Sequence, residues 1–165
     1  AKLSCVASKG KLPLRLASAT ATAPATGKAL AGKSYVGAAA GDNQRTPFLM
    51  NVSASGRDVI NRQVELFVDC AAKKPYEYLR LNDWARFPID ASGHFEFHET
   101  WSEQGAKLGI EATHKVEITT STKGGFDGAR AAGVVRFDVK VLDASSGSVL
   151  DTCTSGDQPF EVHAV

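Results

Sequence analysis

Short runs of alternating apolar and polar residues, cut by turn signals about every ten residues, govern what this chain can fold into. Between Val59 and Cys70, one face carries Val64, Leu66, Val68 and Cys70, and the other carries Gln63, Glu65 and Asp69. Between Gly133 and Leu142, Val135, Phe137, Val139 and Val141 repeat the pattern. A period of two belongs to a strand with one buried face. Thr46 to Ser53, His94 to Trp101 and Ile110 to Thr120 alternate in the same way. Shorter strands are expected at Ser34 to Gly37, Tyr76 to Leu81, Arg86 to Asp90, Val149 to Thr152 and Phe160 to Val165. Asn82-Asp83, Ala91-Ser92-Gly93, the glycine-rich Ser121 to Gly128 and Asp143 to Gly147 read as turns. Gln104 to Leu108 reads as a loop or one helical turn. The expectation is an all-β chain of nine to eleven strands, an antiparallel sandwich of jelly-roll or immunoglobulin-like type.

The 165 residues divide into two parts. Residues 34–165 form the β domain. Residues 1–33 form an N-terminal arm and connector. In the arm, Leu12, Leu14 and Leu16 alternate with Lys11, Pro13 and Arg15 as a short strand, with Pro13 confined to an edge or bulge. The stretch from Ala17 to Lys33 is small and polar with no periodic face, which is the composition of a loose tether. Such an arm can fold back on its own sheet or add a strand to a neighbour.

Cysteines stand at 5, 70 and 153. That spacing does not suit a zinc site, which wants closely placed ligands. Cys70 ends one strong strand and Cys153 lies at the centre of the closing stretch, so a Cys70–Cys153 bridge is expected to staple the fold. Closing a loop of 83 residues contributes about 4.5 kcal/mol in the chain-entropy model. Two alternatives stay open: three buried thiols in a reducing compartment, or a Cys5–Cys153 bridge that pins the arm to its own domain. With Cys70 and Cys153 joined, Cys5 is left for an intermolecular or partner link.

Nineteen basic and eighteen acidic residues give a net charge of +1. A nucleic-acid binder shows a clustered basic surplus instead. No apolar run approaches the roughly 20 residues that span a bilayer. The chain is therefore expected to bind no nucleic acid and to span no membrane. No hydrophobic leader precedes a cleavage site, so an export signal is expected to have been removed.

Gly32-x-x-Tyr35-x-Gly37, Phe87-Pro88-Ile89-Asp90-x-x-Gly93-x-Phe95, Gly125-Phe126, Ala132-Gly133 and Cys153-x-Ser155-Gly156 occur in that order. With Cys70, they make residues 32–165 resemble a loose group of secreted, actinobacterial-type β-sandwich proteins, mostly uncharacterised. The resemblance implies the fold, the bridge and an extracellular or cell-surface location. It carries no catalytic residues.

Three chemistries can be read from the residues. Trp84, in a loop beside Asn82, Asp83 and Arg86, could join Tyr76 and Tyr78 in an aromatic patch for a glycan. His94, Glu96 and His98 share one strand face at about 7 Å spacing, within reach of a common metal; a solvated outer face opposite Phe95 and Phe97 explains the same pattern. No G-x-S-x-G elbow, H-E-x-x-H or D-x-[DN]-x-[DN]-G run occurs, so no enzyme is expected and no cofactor beyond a metal on that face. The leading expectation is a secreted structural or surface subunit that self-assembles, as an oligomer or filament, by exchanging its N-terminal strand.

Overall fold

The computed structural model describes residues 27–40, 45–72 and 78–165, and of Tyr78, Leu79, Arg80 and Asn82 the backbone alone. Nine strands follow in order. They are β1 (Ser34–Ala40), β2 (Arg45–Val52), β3 (Asp58–Cys70), β4 (Tyr78–Pro88), β5 (His94–Gln104), β6 (His114–Asp127), β7 (Arg130–Asp143), β8 (Val149–Thr154) and β9 (Gln158–Ala164). The single 3-10 turn among the described residues is Gly105–Leu108. The all-β expectation holds.

All nine strands belong to one sheet, in the order β4-β3-β2-β1-β9-β7-β6-β5, with β8 joining β3 to β7. The path β3, β2, β1, β9, β7, β8 returns to β3, so six strands close into a barrel and three add outside it. The sequence reading anticipated two stacked sheets. Strand length accounts for the difference. β3 and β7 have 13 and 14 residues, enough for two partners in succession along one edge. β3 pairs β2 through Val59 to Val64 and then β8 at Asp69 and Cys70. β7 pairs β9 from Arg130 to Val135 and β8 from Asp138 to Leu142. Closure leaves no edge within the ring. Among the described residues, β4 pairs only β3, and β5 pairs only β6.

Aromatic rings tie the layers together. Phe48 stacks on Phe160 with centroids 4.2 Å apart. Phe126 lies edge-on to Tyr35 at 4.9 Å and contacts Phe95 at 5.3 Å. Phe87 of β4 meets Phe95 and Phe97 of β5, each at 5.4 Å. Each such pair adds about 0.5–1.5 kcal/mol beyond the area it buries.

Two turn readings are corrected. Asn82-Asp83 is not a turn; β4 runs through it unbroken, with Leu81, Asp83, Ala85 and Phe87 on the buried face. The glycines at 124 and 125 lie inside β6 rather than in a turn. Gly124 faces Gly133 across the β6–β7 ladder. A Cβ at Gly124 would come within 2.9 Å of the Phe95 ring, and one at Gly133 within 2.9 Å of the Phe160 ring. Glycine here lets two aromatic rings lie on the strands.

The described part of the expected connector, 27–33, is held to the barrel. The Gly27 amide donates to the Phe126 carbonyl at 2.7 Å. The buried Tyr35 hydroxyl donates to the Gly128 carbonyl at 2.6 Å and accepts from the Leu30 amide at 2.7 Å. Gly93, at φ 88°, leaves no room for a Cβ, which would fall 1.7 Å from the Gly27 carbonyl oxygen. The arm before residue 27, including Cys5, lies outside the described residues.

Candidate functional site

Cys70 and Cys153 stand opposite each other in the β3–β8 ladder, and their sulfurs are joined as the sequence anticipated. Both are buried. The Asp151 carboxylate lies close to the two sulfurs, and these three residues form the one group of potential metal ligands that converges among the described residues. The disulfide consumes both thiols, so no thiolate is offered to a metal. Asp151 Oδ1 accepts from the amides of Ala72, at 3.0 Å, and Thr152, at 2.7 Å, which fixes the carboxylate as a clasp on the chain leaving β3.

On the outer surface over this bridge lies an open groove of about 460 Å³ along β3, β8, β7 and β6. Two of its charged pairs are matched locally. Lys140 pairs with Glu117 at 2.9 Å. Arg136 pairs with Asp138 at 2.7 Å, and the Thr154 hydroxyl donates to the same carboxylate at 2.7 Å.

His94, Glu96 and His98 do project from one face of β5, but their ligand atoms do not gather. His94 is half-buried and its Nδ1 lies 2.8 Å from the Ser92 hydroxyl. Glu96 stands opposite Lys123, and His98 opposite Ser121. The Asp90 turn explains the placement of His94. Asp90 Oδ1 accepts from the Ser92 hydroxyl and amide and from the His94 amide, at 2.6, 2.8 and 2.9 Å. The Ser92 hydroxyl, the His94 amide and the remaining donor hold this carboxyl below the usual aspartate range.

Trp84 is 71 % exposed, far more than a core-capping ring would be. It sits on the outer face of β4 in a row set by register: Trp84, Gln63, Leu49, Val36, His163 and Arg130 on β4, β3, β2, β1, β9 and β7. Val36 is also exposed, at 46 %. Tyr76 lies outside the described residues. Tyr78 begins β4, six positions from Trp84, about 20 Å at strand rise. That is a span of several sugar rings, not one.

The site that sequence reading missed is inside. Arg62 is fully buried on β3, with an ion pair to Asp83 of β4. Its guanidinium also donates to the Thr122 hydroxyl at 2.6 Å and the Thr120 hydroxyl at 3.4 Å, both on β6. The Phe97 ring lies 5.4 Å away. Burial lowers the Arg62 pKa, and the Asp83 charge acts against that fall. The cluster binds β3 and β4 to β6 through the core. The signal was present: Arg62 continues the buried series Val64, Leu66, Val68, and Asp83 continues Leu81, Ala85, Phe87. Reading Asn82-Asp83 as a turn concealed the second half of the pair.

No family model matches the chain, and neither does any curated protein or solved structure. Function therefore rests on the molecule's own geometry.

Proposed function

We propose that the protein is an exported, non-enzymatic subunit of an extracellular or cell-surface assembly, joined to its copies through the N-terminal arm, residues 1–20. One observation carries the reading. The body binds two of the three cysteines of these 165 residues to each other, which leaves Cys5 without a partner among them. An odd cysteine in an oxidising compartment points to a link between chains. The disulfide and the absence of any long apolar helix among the described residues are in keeping with export. The test is sedimentation velocity on the native protein, with and without reductant, beside a chain lacking residues 1–20. The wild type is expected to be oligomeric and the shortened chain monomeric. A wild-type monomer would end the proposal.

Trp84 favours a second reading, carbohydrate binding at the outer face. An aromatic ring 71 % exposed on a rigid strand, beside the amide of Gln63, offers a stacking surface with hydrogen-bonding neighbours. A glycan array comparing the wild type with Trp84→Ala tests it. Equal signals from the two proteins would count against this face.

A further inference from the structure

The assembly reading leaves open where an arm would dock. The ladder polarity of β5 and the residue spacing of the arm answer the question together. The Gly93 carbonyl accepts from the Phe126 amide, so odd-numbered positions of this segment face β6. The His94 carbonyl accepts from the Asp90 amide, on the opposite side. Carried along β5, this alternation points the backbone groups of Glu96, His98, Thr100 and Ser102 to the edge that no described strand covers. Beyond the Phe87 contacts near its start, β5 presents five or more residues of open ladder.

We infer that the free edge of β5 receives residues 11–16 of a second copy as an antiparallel strand, with Arg15 opposite Glu99, Pro13 opposite Trp101 and Lys11 opposite Glu103. This rests on the assembly reading above and specifies its surface.

Proline fixes the alignment first. Lacking an N–H, Pro13 must point its nitrogen away from the strand it joins. Leu12, Leu14 and Leu16 then exchange hydrogen bonds with the even-numbered residues of β5, and stand on the outer face beside Ser102, Thr100 and His98. Lys11 and Arg15, four apart, fall on the same face as Glu99 and Glu103, also four apart. Opposite charges directly across a ladder stabilise it, and like charges oppose it. Pro13 lands on Trp101, whose ring is half-buried against the core.

Charge also chooses between the two free edges. Residues 1–26 contain Lys2, Lys9, Lys11 and Arg15 and no carboxylate. β5 contains Glu96, Glu99 and Glu103 and no lysine or arginine, with Glu103 shared at 2.7 Å by Lys107 of the turn that follows, whereas β4 contains Arg80 and Arg86 and one carboxylate, Asp83, which is buried against Arg62. A basic strand is drawn to β5. The second copy, rather than the same chain, follows from the assembly reading above; an arm folded back on its own β5 would leave the protein a monomer.

The test uses full-length protein in sedimentation velocity. Ser102→Pro removes an outward amide without touching a β6 bond, and Glu99→Lys with Glu103→Lys reverses the charge while keeping every amide, at the loss of the Glu103–Lys107 pair, so that rescue by the compensating arm charges is the deciding readout. Each is expected to weaken association at least tenfold. Adding Lys11→Glu and Arg15→Glu to the charge-reversed chain is expected to restore it. Should Ser102→Pro disturb folding, judged by near-ultraviolet circular dichroism, the charge-reversal pair decides alone. An oligomer unaffected by charge reversal and unrescued by the compensating pair would overturn the β5 docking and leave arm-mediated assembly standing. A wild-type monomer would overturn both.

Discussion

Asp83→Ala tests the buried ion pair most directly. The substitution leaves the Arg62 guanidinium fully buried beside two threonine hydroxyls and the Phe97 face, with its carboxylate gone. Removing one partner of a buried pair costs about 3–5 kcal/mol, most of it the stranded charge. Thr122, at 2.6 Å, still accepts a hydrogen bond, which places the expected loss near the lower end. A loss of about 3 kcal/mol is a change of about 150-fold in the unfolding constant. With a urea dependence of about 2 kcal/mol per molar, the midpoint falls by about 1.5 M. Tryptophan fluorescence during urea unfolding, with the disulfide intact, measures it. The double variant Arg62→Met with Asp83→Leu removes both charges and keeps the volume, and should recover most of the loss. If Asp83→Ala moves the midpoint by less than a few tenths molar, the pair does not hold β3 and β4 to β6 as argued. The same conclusion follows if the double variant is no better than the single.

Three further outcomes follow from the fold. Replacing Cys70 and Cys153 by serine removes the staple between β3 and β8, whose ladder has two paired positions, and should lower stability by about 4.5 kcal/mol; chemical unfolding of the variant and parent gives the difference. Gly93→Ala puts a Cβ against the Gly27 carbonyl at a positive φ, so residues 27–33 should detach, raising protease cleavage there and lowering the melting temperature by several degrees. Acid should weaken the protein through its turns and strand pairs. The Ser145 hydroxyl and the Ser146 donors lower the pKa of Asp143, and arginine hydrogen bonds do the same for Asp138 and Glu161. The unfolded chain therefore binds protons more readily than the folded one. The stabilising contribution is complete above about pH 5 and declines as pH falls through the depressed folded values. Urea midpoints between pH 6 and pH 2.5 should drop accordingly, with a shallower drop in Asp143→Asn.

The strands were legible because alternation survives wherever one face is buried. Val64 to Cys70 and Val135 to Val141 read directly, and the two cysteines stood at positions that long strands bring together. Barrel closure was not legible, because it depends on β3 and β7 each taking two partners, and nothing local encodes a second partner. Gly124 misled for a related reason. A glycine that makes room for a ring from another strand looks, in one dimension, like a glycine that makes a turn. Arg62 and Asp83 broke the apolar pattern at interior positions, and each is intelligible only with the other in view. For the candidate sites, Trp84 lies on strand β4 rather than in a loop, and its neighbours across the sheet come from register, which links residues as distant as Trp84 and His163.

The pairing of β1 with β9 has a mechanical consequence. The Val165 amide donates to the Ser34 carbonyl, and β1 lies antiparallel to β9 from Tyr35 to Ala164. Once residues 27–33 have detached, tension applied at Ser34 and Val165 acts across that ladder and parts its bonds one after another, the weak direction for a sheet. Such a body opens early under load, yet it cannot run out. The covalent bond between Cys70 and Cys153 withholds the chain between them, about 270 Å of contour length.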